Sequence, residues 1–128
     1  MLTLPSSVRI FLYSQPTDMR CGFNRLGMLA ESMMGQDPFS GHLFVFFNRC
    51  GDRCKVLAWD RTGFCIWYKR LEKGTFHRPK RRPDDAPAPV LEIDADTLRC
   101  ILAGIDLAGA KRRNRYVRRR PPEPLMRE

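Results

Sequence analysis

The spacing of apolar positions changes several times along this chain, and each change of period predicts an element. "VRIFLYS", Val8–Ser14, is a run of β-branched and aromatic residues of strand type. "QPTD" follows as a turn, where Thr17 or Asp18 is placed to cap a helix by accepting hydrogen bonds from its free N–H groups. In that helix Phe23, Leu26, Ala30 and Met33 recur at spacings of three and four and define one apolar face. Gly35 ends it, and "GQDPFSG" is a loop rich in helix and strand breakers.

The middle of the chain switches to strands. His42–Asn48, Cys54–Asp60 and Phe64–Arg70 are separated by "RCGDR" and "RTG", both short and glycine-containing, as in hairpins. "TFHRP" is expected as a fourth short strand after the turn "LEKG". Leu43, Val45 and Phe47 point to one side of the sheet while Phe44 and Phe46 point to the other, so a helix or a partner protein is expected to cover the second face. "PKRRPDDAPAP", residues 79–89, has four prolines and no periodicity and reads as a basic linker. "VLEI" can form one more strand. Asp94 or Asp96 then caps a second helix with a stripe of Leu98, Ile101, Leu102 and Ile105, weakened at its end by Gly104 and Gly109. The predicted fold is α+β: an antiparallel meander of three to four strands plus an N-terminal strand, with one helix before and one after the meander. Residues 1–106 form one domain that contains the 79–89 linker, and residues 107–128 form a basic tail expected to be disordered when free.

Charge changes the picture from a plain small domain to one with an anionic partner. The 128 residues hold 23 Lys and Arg against 14 Asp and Glu, a net of +9. Such a balance attracts nucleic acid first and anionic membrane second. Residues 111–128 hold eight Lys or Arg against two Glu, a net of +6, which leaves +3 for the first 110. No apolar run approaches the roughly 20 residues of a membrane span, and the N-terminus lacks the basic start of a secretory signal. Five cysteines without a framework spacing fit reduced thiols in a cytoplasmic protein.

Four constellations could carry chemistry. "CGDRC", Cys50–Cys54, with His42 and His77 at a distance in sequence, raises the question of zinc. A second pair of ligands at knuckle spacing is missing, so the stretch reads as a hairpin turn with incidental thiols. Asp18, Asp52 and Asp60 could be offered as the metal-binding trio of a phosphoryl-transfer enzyme, yet each has a capping or turn role instead. The aromatics Phe46, Trp59, Trp67 and Tyr68 could stack on bases, with a core role the preferred reading. The basic residues are the strongest candidates for contact with phosphates. They comprise Arg49, Arg53 and Lys55 around the first hairpin and Lys69 and Arg70 at the end of the third strand. Lys80, Arg81 and Arg82 lie in the linker, and Lys111, Arg112, Arg113, Arg115, Arg118, Arg119 and Arg120 in the tail. No catalytic residues, metal, cofactor or small-molecule ligand are indicated.

"PTDMRCGFNRLGMLAE" followed by "DPFSGHLFVFFNRCGDRCKVLAWDRTGFCIWYKRLEKGTF" resembles the small accessory (TnpB-type) protein of bacterial insertion sequences of the insertion sequence 66 family. The likeness runs from about Leu4 to Arg78 and fades over the last 40 residues. It implies a non-catalytic helper in transposition whose partners are DNA, at the element ends, and the transposase and other proteins of the same element. A docking module that meets the transposase without recognising DNA is the alternative. Cys50 and Cys54 depart from the family's pattern, in which basic, polar or aliphatic residues stand there, so they are not a family metal site.

Overall fold

The computed structural model describes Pro5, residues 7–80 and 89–103, and the backbone of Ile105–Asp106 and Lys111–Arg112. Five runs pair into one sheet: β1 (Ile10–Tyr13), β2 (Leu43–Phe47), β3 (Arg53–Asp60), β4 (Gly63–Arg70) and β5 (Val90–Ile93), in the order β4-β3-β2-β1-β5. β2, β3 and β4 are antiparallel neighbours. The N-terminal strand lies parallel to β2, with Ile10 opposite Leu43 and Leu12 opposite Val45. "VLEI" does form a strand and closes the far edge antiparallel to β1. The sheet is therefore mixed. Parallel neighbours cannot be joined by a tight turn, so the chain between β1 and β2 must cross a face, and it carries the first helix over that face.

The first helix differs from expectation at both ends. Neither Thr17 nor Asp18 caps it. Thr17 is buried with its N–H bonded to the Phe47 carbonyl at 2.8 Å, and the Asp18 carboxylate accepts from the backbone and guanidinium of Arg20. The helix, α1, spans Phe23–Met28 behind Gly22 without a side-chain cap. It continues as a wider π-type turn over Leu29–Met33, where the Met34 N–H reaches the Leu29 carbonyl at 3.0 Å. A wider turn rotates each residue by less. Met33 consequently falls short of the buried face and Met34 takes its place, so the buried stripe is Leu26, Ala30 and Met34, while Phe23 and Met33 are about half exposed. Gly35, in the left-handed region at φ 69°, ends the segment as expected.

Both faces of the sheet are covered. Phe11, Tyr13, Phe44, Phe46 and Leu57 pack with Leu26 of α1, with Ala30 of the π-type turn that continues it and with Met34 at that turn's end. On the other side Ile10, Leu12, Val45, Phe47, Cys54 and Val56 pack with Leu98, Ile101 and Leu102 of the second helix, α2 (Ala95–Ala103). Each such side chain contributes about 1.5–3 kcal/mol when fully buried, which is why a sheet with two apolar faces needs a helix on each. Asp94 rather than Asp96 caps α2, accepting from the Thr97 N–H at 2.7 Å, and Asp96 pairs with Arg99 instead. Ile105 is not in the helix but in a two-residue strand, β6 (Ile105–Asp106), paired with β7 (Lys111–Arg112). The rest of the tail, with Gly104, Gly109 and linker residues 81–88, lies outside the described residues. No helix among the described residues is long and apolar enough to cross a membrane.

The fourth meander strand is absent. Thr75–Pro79 runs as an irregular segment across the end of the sheet. The turn 48–52 draws it there: the Leu71 N–H bonds the Asp52 carbonyl and the Phe76 N–H bonds the Gly51 carbonyl, each at 2.8 Å. Phe76 is buried against Phe47, with ring centroids 5.8 Å apart.

Candidate nucleic-acid interface

Because β1 and β2 are parallel they finish at the same end of the sheet, and β3 starts, β4 finishes and β5 starts there too. Three connecting segments meet at this end: the loop 14–22, the turn 48–52 and the segment 71–80. The turn is built by Asn48, whose amide donates to Asp52 at 2.7 Å and whose side-chain oxygen accepts from the Arg53 N–H at 3.0 Å. Gly51 sits at φ 77°, and a Cβ there would stand 2.6 Å from Cζ of Arg78. The positive φ is what calls for glycine in this turn, and the Arg78 guanidinium lies against it. The loop 14–22 is pinned from below: Lys55 Nζ donates to the carbonyls of Met19 at 2.7 Å and Cys21 at 2.8 Å, and lies 4.8 Å from the centre of the Tyr68 ring.

An open groove of about 610 Å³ runs between Pro16–Arg20 on one bank and Asn48–Arg53 on the other. A second hollow of about 530 Å³ adjoins it past Pro16 and Asn48, lined on its outer side by Phe76, His77, Arg78, Pro79 and Lys80. Arg49, Arg78 and Lys80 are exposed along this path. Arg53 is half-buried, with its guanidinium 3.1 Å from the Tyr68 hydroxyl, to which it donates. The Arg20 side chain is 91% exposed and pairs with Asp18, whose carboxyl is held down to about 2 by that guanidinium. Guanidinium groups present planar forks of donors that match the oxygens of a phosphate, and here several line one open path.

The predicted contact residues divide. Arg49, Arg53 and Lys80 come together at this end. Lys55 does not belong with them: it is buried, and its ammonium is committed to two carbonyls. Lys69 donates to the Leu102 carbonyl at 3.0 Å, at the end of α2, and Arg70 pairs with Glu72 at 2.9 Å. Arg81, Arg82, Arg113, Arg115, Arg118, Arg119 and Arg120 lie outside the described residues, and Lys111 and Arg112 are placed by backbone alone. Sequence reasoning missed Arg20 and Arg78, since the first sat in an expected helix turn and the second in an expected strand. Among the aromatics Phe46 is fully buried and Trp67 is half-buried against the α2-side core, whereas Trp59 is half-buried against the rings of Phe39 and Phe64 and Tyr68 is 46% exposed.

The thiol pair is split between two environments. Cys54 is buried in the α2-side core, where loss of solvation pushes its thiol up to about 12, while Cys50 is exposed on the turn. Among the described residues no group of three or more His, Cys, Asp or Glu could hold a metal ion. Asp52 and Asp60 stand before and at the end of β3, roughly 25 Å apart at strand rise, so they do not form a trio with Asp18.

A family model described as "IS66 Orf2 like protein" matches residues 8–112, reaching past the meander and over α2. Two relatives from Sinorhizobium fredii (strain NBRC 101917 / NGR234) are similar over most of their length. The uncharacterized protein y4hO is 36% identical over 106 residues, 83% of this chain and 88% of that protein. The uncharacterized protein y4jC is 34% identical over 106 residues, 83% of this chain and 86% of that protein. No solved structure matches the chain.

Proposed function

The chain belongs to the IS66 Orf2-like family, which is associated with transposition, and on that premise we propose that it is a non-catalytic accessory protein that holds DNA by its phosphates. One observation carries this reading: Arg49, Arg53 and the Asp18-paired Arg20 line an open groove at one end of the sheet, and Arg78 lines the hollow that adjoins it. An arginine fork contacts phosphate oxygens without reading a base, so this groove would fix the position of a duplex rather than select its sequence. The basic residues of the linker and tail, Arg81, Arg82 and those from Lys111 to Arg120, would add further phosphate contacts. The protein would act in the cytoplasm beside the transposase and the other proteins of its element.

A second reading has its own support. Phe23, Met28, Met33 and Phe39 are 50%, 60%, 47% and 57% exposed, large apolar side chains that a protein partner could cover. On that reading the chain docks on the transposase and DNA contact is incidental. A binding titration against element-end DNA and unrelated DNA, each with and without transposase, separates the two. The DNA reading expects comparable affinity for both DNAs without transposase and a uniform loss when residues 111–128 are deleted. If the deletion changes nothing and association requires the transposase, the docking reading replaces it.

A further inference from the structure

The outermost strand of the sheet is β4, eight residues long, whereas the opposite edge strand β5 has four. The bond from Leu71 N–H to the Asp52 carbonyl continues the β3–β4 ladder, so the odd-numbered residues of β4 direct their backbone groups at β3. Phe64, Ile66, Tyr68 and Arg70 then direct their N–H and C=O groups outward. Among the described residues no hydrogen bond reaches these groups. Edge strands are ordinarily blunted by proline, a bulge or a central lysine. β4 has no proline, its eight pairs with β3 run without interruption, and its charges are confined to Lys69 and Arg70 at one end. The edge is also flanked by exposed apolar surface: Tyr68, Cys65, and Phe39, whose ring lies 5.2 Å from that of Phe64.

We propose that a second copy of this chain pairs along β4, antiparallel, doubling the five-stranded sheet into one of ten strands. The strand is self-complementary in a way that a generic partner strand need not be. A two-fold axis perpendicular to the sheet keeps the faces aligned, and outward groups must then meet outward groups. Centring the pair on Trp67 sets Phe64 opposite Arg70, Ile66 opposite Tyr68 and Cys65 opposite Lys69. All four outward residues of each copy are used, giving about eight new backbone bonds at one per N–H. No two basic residues face one another, because each lies across from an apolar residue or a thiol. The antiparallel arrangement sends the two groove-bearing ends in opposite directions. On the phosphate reading above, one dimer would bridge two DNA segments.

Sedimentation equilibrium of the full chain without DNA tests the pairing. The expected mass is about twice 14.9 kDa. Cys65→Lys alters an exposed side chain and sets a lysine across from Lys69 of the second copy, so it should halve the mass while the circular-dichroism spectrum stays that of the folded parent. Ile66→Pro removes an outward N–H without touching a bond to β3, and should halve the mass as well. A 14.9 kDa species at every concentration overturns the proposal. So does a dimer that both variants leave intact, or a mass that rises only when DNA or another protein is added. None of these outcomes depends on whether the groove binds phosphate.

Discussion

The two hairpin turns of the meander sit at opposite ends of β3 and were built to different plans. The turn at 48–52 is crossed by two other segments, organised by the Asn48 side chain, and bordered by Arg20, Arg49, Arg53 and Arg78. The link at 61–62 is two residues long, with Arg61 in the left-handed region at φ 49°. Its neighbours are aromatic: Phe39, Trp59 and Phe64 have ring centroids 5.0–5.2 Å apart. Both turns carry an exposed arginine, yet only the first holds its cations inside a framework. The contrast teaches that charge alone does not mark a binding surface. On the phosphate reading, what sets the first turn apart is the anchoring of loops that fixes where each charge stands, here through Lys55, Thr17 and Phe76.

The contrast breaks most visibly at Lys55. Lys55→Met removes the donor for two carbonyls and should lower the unfolding free energy by about 2–3 kcal/mol, read from the denaturant midpoint. Arg61→Ala at the other turn should stay within about 0.5 kcal/mol of the parent. If both variants unfold alike, the loop 14–22 is not anchored as described. A smaller effect is expected at the glycines. Gly51→Ala forces a Cβ into the left-handed region and against Arg78, at a cost of about 1–2 kcal/mol. Gly63→Ala meets nothing within 4 Å and should be nearly silent. Adding Arg78→Ala to Gly51→Ala should recover part of the loss, since it removes the contact and leaves the backbone strain.

Much of the fold could be read from periodicity. The three long strands, the short "VLEI" and the α2 stripe of Leu98, Ile101 and Leu102 are all local patterns, and local patterns survive into the structure. The parallel insertion of β1 beside β2 is a long-range pairing that no local pattern encodes. The π-type turn that exchanges Met33 for Met34 is equally hidden, since both residues are methionine. The site was legible in part: Arg49 and Arg53 flank a recognisable turn. Lys55 looked the same as they did, because sequence gives its charge but not the carbonyls of Met19 and Cys21 that hold it from 36 and 34 positions away. Arg78 was masked by a strand-like run whose fate was decided by two bonds to the first turn.

On the phosphate reading the framed end of the sheet holds phosphates and the bare end does not, a difference that the salt dependence of DNA affinity exposes. Each phosphate contact contributes about −0.9 to the slope of log affinity against log salt on duplex DNA. Arg49→Ala with Arg78→Ala should flatten that slope by about two contacts, roughly 1.8 units, and weaken element-end and unrelated DNA equally. Arg61→Ala should leave the slope where it was. A slope unmoved by the double variant, or moved as far by Arg61→Ala, would contradict the account.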